Sequence, residues 1–239
     1  MIITIASLKG GCGKTSMAVN LALSMSGRGK VLVCDFDPQS SMTDYFLRTE
    51  QPEIITERNA WHLLTERKEA KDCIFPGLFL DCLPAVPKLH TAGFEMAGDP
   101  GVLLRLKNEI KKLKYSAVII DTPPSMSFEF RAGLYCADVI LSPVMLDRWS
   151  MQGLALLQSE IGKAEKTTRK KVSLKIVPSI VTPKEAEKMR NGHGSIFTKS
   201  EINKASGIRR AIAQGKRLKN ESKSALQYEA LAKEIAGEV

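Results

Sequence analysis

No apolar run in these 239 residues approaches the roughly 18–20 that a membrane-spanning helix needs. The N-terminus lacks the charged segment and apolar stretch of a secretory signal, and Ile2 opens a strand-like run at once. These two gaps predict a cytoplasmic chain. Its five cysteines (Cys12, Cys34, Cys73, Cys82, Cys136) are odd in number, lie far apart and form no C-x-x-C pair. A zinc ribbon and a disulfide framework are therefore not expected, and most of the thiols are read as small buried apolar groups. There is no internal repeat, no low-complexity tract and no linker, so one domain over residues 1–239 is the expectation. Aspartate is missing after Asp147, and between Lys163 and Lys223 there are 17 Lys and Arg against 5 Glu, a local charge of +12. The whole chain carries +9, which leaves the rest at −3. A one-sided basic block on a soluble chain points to a polyanionic partner, nucleic acid before membrane surface. Aromatics near it are limited to Phe197 and Tyr228, so base stacking on single strands is not expected.

What is present is a series of short apolar runs separated by helical patterns. Ile2–Ala6, Val31–Cys34, Leu78–Leu83, Ala117–Ile120, Val139–Leu141 and Leu174–Val181 read as strands. Thr15–Met25 carries apolar residues at helical spacing and is stopped by Gly27 and Gly29. Further helices are expected over Gly101–Leu113, Met151–Ile161, Ile208–Gln214 and Ser224–Ile235, with a polar loop and short helices over 39–65. Strands without polar alternation, separated by helices, predict an α/β fold with a parallel sheet covered on both faces. Asp35, Asp121 and a glycine-rich turn fall at carboxyl ends of these strands, where open α/β sheets bind ligands.

That turn is Lys9-Gly10-Gly11-Cys12-Gly13-Lys14-Thr15-Ser16, between a strand and a helix, which is the context a phosphate-binding loop requires. Glycines let successive N–H groups curl toward phosphate oxygens, and the helix N-terminus adds its positive dipole end. Lys14 is placed to reach the β- and γ-phosphates and the Thr15 hydroxyl to ligate Mg²⁺. The standard spacing asks for glycine where Leu8 stands, and a second lysine, Lys9, comes instead. Downstream, Asp35-Phe36-Asp37-Pro38-Gln39 ends one strand and Val118-Ile119-Ile120-Asp121-Thr122-Pro123-Pro124 another. A carboxylate beside a γ-phosphate can orient water and touch a metal's hydration shell.

The string Lys9–Ser16 resembles the deviant Walker A box of the ParA/MinD superfamily, K-G-G-x-G-K-[ST]. Asp35–Gln39 is similar to the D-x-D-P-Q switch I of ParA, and Asp121–Pro124 to its D-x-P-P switch II. The resemblance runs on through Leu141–Val144, through Gln152-Gly153-Leu154, through Ile208, Ala211, Gly215 and Lys216, and through the closing stretch Ala225–Glu234. It implies a single-domain P-loop ATPase using ATP and Mg²⁺. Lys9 would act on the nucleotide of a partner subunit in an ATP-bound homodimer, Asp37 would position the attacking water, and Thr15, Asp37 and Asp121 would serve the metal. It also implies non-specific binding of double-stranded DNA, for which Arg209, Arg210, Lys216, Arg217, Lys219 and Lys223 lie in the comparable stretch. A ParB-like partner, nucleoid association and partitioning of a plasmid or chromosome follow from the same likeness. Cys12 and Ser16 depart from the usual residues, and Asn203 falls where relatives place a proline near adenine, leaving the base contacts open. Relatives often carry an N-terminal DNA-binding extension, which is not expected here with the first strand at Ile2.

Three other readings compete. A MinD-like membrane-cycling regulator needs a basic amphipathic C-terminal helix with bulky apolar residues, and Leu231–Val239 holds Ala, Gly, Glu234 and Glu238 instead. A nitrogenase iron-protein-like enzyme needs cysteines just after the Asp121 strand, where Thr122–Ser125 supply none. A non-hydrolysing module has no use for Lys9, Lys14 and Asp37 together. Residues 48–100 carry no motif.

Overall fold

The structure, a computed structural model, describes residues 1–99, 101–191 and 196–237, with the backbone alone over 148–152. Glu238, weighed above, lies outside it, as does the side chain of Gln152. Seven strands form one sheet: β1 (Ile2–Ile5), β2 (Val31–Asp35), β3 (Leu80–Leu83), β4 (Ala117–Asp121), β5 (Val139–Val144), β6 (Ser173–Val181) and β7 (Ile202–Asn203). Their order is β3-β2-β4-β1-β5-β6-β7, and every pairing is parallel. Alternate residues of each strand feed different cores, because side chains switch faces at every step. Ile3, Ile5, Val31, Val33 and Ile119 pack with Met17 and Leu21 of the helix Lys14–Met25 and with Tyr228 and Leu231 of the closing helix Lys223–Ala236. Ile2, Leu32, Cys34, Val118 and Ile120 pack on the opposite side with Trp61, Leu64, Leu106 and Ile110. A third cluster joins Ala6, Ile140 and Ile176 to Phe130, Leu157 and Ile161. Both faces are apolar, hence the continuous hydrophobic strands in the sequence. The cysteines, most of which were expected inside, are all five buried.

Differences from the sequence reading have physical causes. The edge strand β3 starts two residues later than expected, since Leu78 and Phe79 are 90% and 57% exposed and precede the pairing with β2. The helix Phe128–Cys136 was not expected: three aromatics and a glycine give it little intrinsic helicity. Tertiary packing holds it. Thr4 Oγ1 donates to the Gly133 carbonyl at 2.8 Å, and a Cβ on Gly133 would stand 2.6 Å from Thr122 Cγ2. The helix Pro183–Arg190 opens with a capping box in which Thr182 and Glu185 satisfy each other's backbone N–H. The T-x-x-E signature stands in the sequence, but it directly follows a strand and precedes a stretch too polar to show helical periodicity. Strand β7 has two residues, too few to show periodicity. The helix expected over Met151–Ile161 spans Arg148–Thr168.

Candidate functional site

The loop after β1 turns on two left-handed glycines, Gly11 at φ +75° and Gly13 at φ +92°, where a side chain would be strained. Gly13 is the N-cap of the helix Lys14–Met25, so the first N–H groups of that helix face the loop's concavity. Ser179 Oγ on β6 donates to the Cys12 carbonyl at 3.0 Å and ties the loop to the neighbouring strand. Lys14 is buried, and its ammonium donates to the Lys9 carbonyl at 2.9 Å. A phosphate could take over that ammonium without moving the backbone.

Asp35 and Asp121 end β2 and β4 in register with each other, and both are fully buried. The Thr15 hydroxyl donates to Asp121 Oδ2 at 2.6 Å, while Asp121 Oδ1 is buried without a partner. Burial pushes the Asp121 carboxyl well above the usual carboxylate range, and the charge of Asp35 adds to this. Asp35 is also raised, chiefly by burial, against the hydrogen bonds it receives from Thr43 N, Thr43 Oγ1 and Asp37 N. Two buried acids side by side with a spare oxygen make a place short of positive charge. An oxygen-ligated divalent cation fits it. No group of three or more His, Cys, Asp or Glu capable of holding a metal occurs among the described residues. Such an ion would therefore take most of its ligands from water and phosphate, as Mg²⁺ does.

Asp37 lies one turn beyond, with its Oδ1 accepting from Gln39 N at 2.9 Å. Thr43 fastens this segment: its hydroxyl donates to Asp35 and accepts from Ala85 N at 2.8 Å, linking it to the residues after β3. A cleft of about 700 Å³ runs from the loop to β7 and is lined by Gly10, Gly11, Gly13, Lys14, Thr15, Ser16 and Asp37. Its far wall is Ile180, Ile202, Asn203 and the helix Ser206–Ala213. Cys12 is buried behind the loop. Lys9 is not among the lining residues, and its Nζ pairs with Asp147 Oδ2 at 2.5 Å beyond the end of β5.

The six basic residues singled out for DNA are all exposed. Arg209 and Arg210 lie on the helix Ser206–Ala213 and also line the cleft. Lys216, Arg217 and Lys219 follow it, and Lys223 begins the closing helix. Arg217 stacks 4.3 Å over the Phe79 ring. Sequence reasoning missed Ser179, Thr43 and Asp147, which carry no motif of their own. It also missed Ile180, a β-branched residue at φ +59° in the irregular rung between β6 and β7 at the cleft wall.

A family model described as an AAA domain matches residues 1–176. The chain is 33% identical over 154 residues to a chromosome-partitioning ATPase Soj of Thermus thermophilus, covering 64% of this chain and 58% of that one. It is 31% identical over 170 residues to the sporulation initiation inhibitor protein Soj of Bacillus subtilis, covering 69% and 66%. The chain belongs to the ParA family. It spans 58% and 66% of the length of these two curated relatives. In fold it is similar to the crystal structure of a putative plasmid partition protein from Borrelia burgdorferi bound to AMPPNP, with TM-score 0.83, 24% identity and coverage of 100% and 99%. The family match ends inside β6, yet β6 and β7 belong to the same sheet. No helix among the described residues is long and apolar enough to cross a membrane.

Proposed function

We propose that this chain is a ParA-like ATPase, one domain over 1–239, that binds ATP and Mg²⁺ at the β1 loop and uses slow hydrolysis as a switch for partitioning a plasmid or chromosome. The observation that carries the reading is the Thr15–Asp121 hydrogen bond. It sets a hydroxyl and a carboxylate beside Lys14, at the head of a cleft whose side wall holds Asp37. Lys14 neutralises phosphate charge, the loop amides hold the phosphate oxygens, and Asp37 orients the attacking water. Thr15 and Asp121 would hold Mg²⁺, with Asp37 beside its hydration shell; that ion neutralises charge on the transferring phosphoryl group. Lys9 supplies the last positive charge to the nucleotide of a second copy in an ATP-bound homodimer, for which it must leave Asp147.

The DNA step is read from charge and placement. The helix Ser206–Ala213 borders the cleft and presents Arg209 and Arg210, and the exposed basic stretch continues beyond that helix through Lys216, Arg217, Lys219 and Lys223. Contacts of that kind go to phosphate, hence binding is sequence-blind and salt-sensitive. A ParB-like partner stimulates hydrolysis on nucleoid DNA. The test is binding to non-specific duplex DNA with ATP, ADP or no nucleotide, at two salt concentrations, for the parent and Asp37→Ala. Salt-sensitive binding that needs ATP and survives in Asp37→Ala without turnover supports the switch. Normal turnover with no DNA binding in any state sinks the DNA step and moves the reading to a MinD-like or other cargo-positioning ATPase.

A further inference from the structure

The turn that leads into β3 carries apolar side chains where turns ordinarily carry polar ones. Leu78 is 90% exposed, the most exposed large apolar side chain among the described residues, and Phe79 beside it is 57% exposed. The turn is stiff. Phe75 and Cys82 exchange N–H···O bonds at 2.7 and 2.8 Å across its base. Gly77 N donates to Asp81 Oδ1 at 3.2 Å, and Asp81 is itself held by the Tyr115 hydroxyl at 2.5 Å and by Lys30 at 2.7 Å. The chain folds back so closely that a Cβ on Gly77 would stand 2.3 Å from the Leu80 carbonyl. From the other side the Arg217 guanidinium lies 4.3 Å over the Phe79 ring, which ties the turn to the exposed basic stretch that also holds Lys216 and Lys219. A stacked guanidinium still offers its N–H fork to an anion. Phe79 thus has a cation over its face, while Leu78 projects into solvent at the edge of the basic surface.

We propose that Leu78 is a wedge: when duplex DNA lies along the basic stretch, this side chain enters a base step from the minor groove, partly unstacks it and bends the duplex. This rests on the DNA reading above. Architectural proteins insert leucine, among other apolar side chains, between base steps and kink the duplex there, while nearby Arg and Lys hold the phosphates. Leu78 beside Arg217 supplies both parts. A membrane fits the same chemistry less well. A whole myristoyl chain attaches a protein to a bilayer only marginally, and one leucine offers far less apolar surface, whereas a base step opens around a single side chain. The stiffness of the turn also suits insertion, because a tip already held in place loses little freedom on binding. A wedge reads nothing except how easily a step opens. Binding therefore stays blind to base identity, with a bias toward steps that unstack cheaply, such as TA.

The experiment titrates the full chain, with ATP and Mg²⁺, onto duplex DNA carrying 2-aminopurine, whose fluorescence rises when its stack opens, and onto the same duplex with one mismatched pair. The parent is compared with Leu78→Ser, which is expected to keep the parent's urea midpoint because the side chain is almost wholly exposed. The parent is expected to raise the fluorescence several-fold at saturation and to bind the mismatched duplex roughly 10-fold more tightly, since the step there is already loose. In Leu78→Ser both effects vanish, while the slope of log affinity against log salt stays that of the parent, because no phosphate contact is lost. Binding by the parent that lacks either effect overturns the wedge and leaves the DNA step standing, and so does either effect persisting in Leu78→Ser. Vesicles of phosphatidylcholine and phosphatidylglycerol that sediment the parent but not Leu78→Ser, with no fluorescence rise on DNA, assign the tip to a membrane and overturn it as well. No DNA binding by the parent with any nucleotide overturns both the wedge and the DNA step.

Discussion

At Gly13 the backbone stands at φ +92° and a Cβ would meet Ser179 Oγ at 3.4 Å. Gly13→Ala is therefore expected to cost about 1–2 kcal/mol of stability from the left-handed backbone, measurable by urea unfolding. It should also weaken nucleotide binding, because the amide at this cap is aimed by that dihedral. Asp121→Asn is expected to keep the fold, since the buried acid is already pushed toward its neutral form, but to remove the Mg²⁺-dependent part of ATP affinity. Affinity in Asp121→Asn that still rises with Mg²⁺ as in the parent would refute that role. Of the site, the sequence made legible those residues whose chemistry forces a pattern. The glycines, Lys14, Thr15, Asp37 and Asp121 each stand at a strand end or a tight turn where few residue types serve. Thr43, Ser179 and Asp147 were illegible because each acts through hydrogen bonds or an ion pair to residues more than 7 positions away, and such partners leave no spacing to read.

The helix Phe128–Cys136 presses on the sheet through Gly133, whose Cβ space is taken by Thr122 and Thr4. Gly133→Ala is expected to destabilise by about 1–3 kcal/mol as overpacking, seen as a lower urea midpoint. ATP affinity should fall with it, since Thr122 follows Asp121 directly. The edge strand β3 offers a pH test. Burial alone would raise the Asp81 carboxyl, but hydrogen bonds from Lys30, the Tyr115 hydroxyl and Gly77 N outweigh it and hold the group below its ordinary value. A lowered carboxyl stabilises the fold above its unfolded pKa of about 3.9, and that increment drains away as pH falls through the native value. The melting temperature of the parent should drop more steeply below about pH 4 than that of Asp81→Asn, whose deficit is full at pH 7 and shrinks in acid. Parallel melting curves for the two proteins across that range would refute it. Elements with strong periodicity were legible to within a few residues, except that the helix Arg148–Thr168 runs seven residues past its expected end. Those made by context were not, as with the aromatic helix Phe128–Cys136 and the two-residue β7, where neighbours rather than propensity decide the backbone.

Charge asymmetry belongs to the molecule as a whole. Reversing Lys216, Lys219 and Lys223 to Glu is expected to lower DNA affinity while sparing ATP binding. The slope of log affinity against log salt should become shallower by roughly 0.9 for each DNA phosphate that these lysines no longer neutralise. An unchanged slope would place the DNA surface elsewhere. The order of strands has a consequence in time. β1, made well before its neighbours, lies between β4 and β5, with Ile5 opposite both Asp121 and Leu141. At synthesis rates of about 5–20 residues per second, the loop that follows β1 waits on the order of 6–25 seconds for the strands that flank it. Pairings that distant in sequence also close slowly once both strands exist. A growing chain of this protein therefore carries its best-marked motif with no flanking strand to support it until β4 and β5 are made. The first moment at which it can hold a nucleotide comes only after β4 and β5 have emerged beside it.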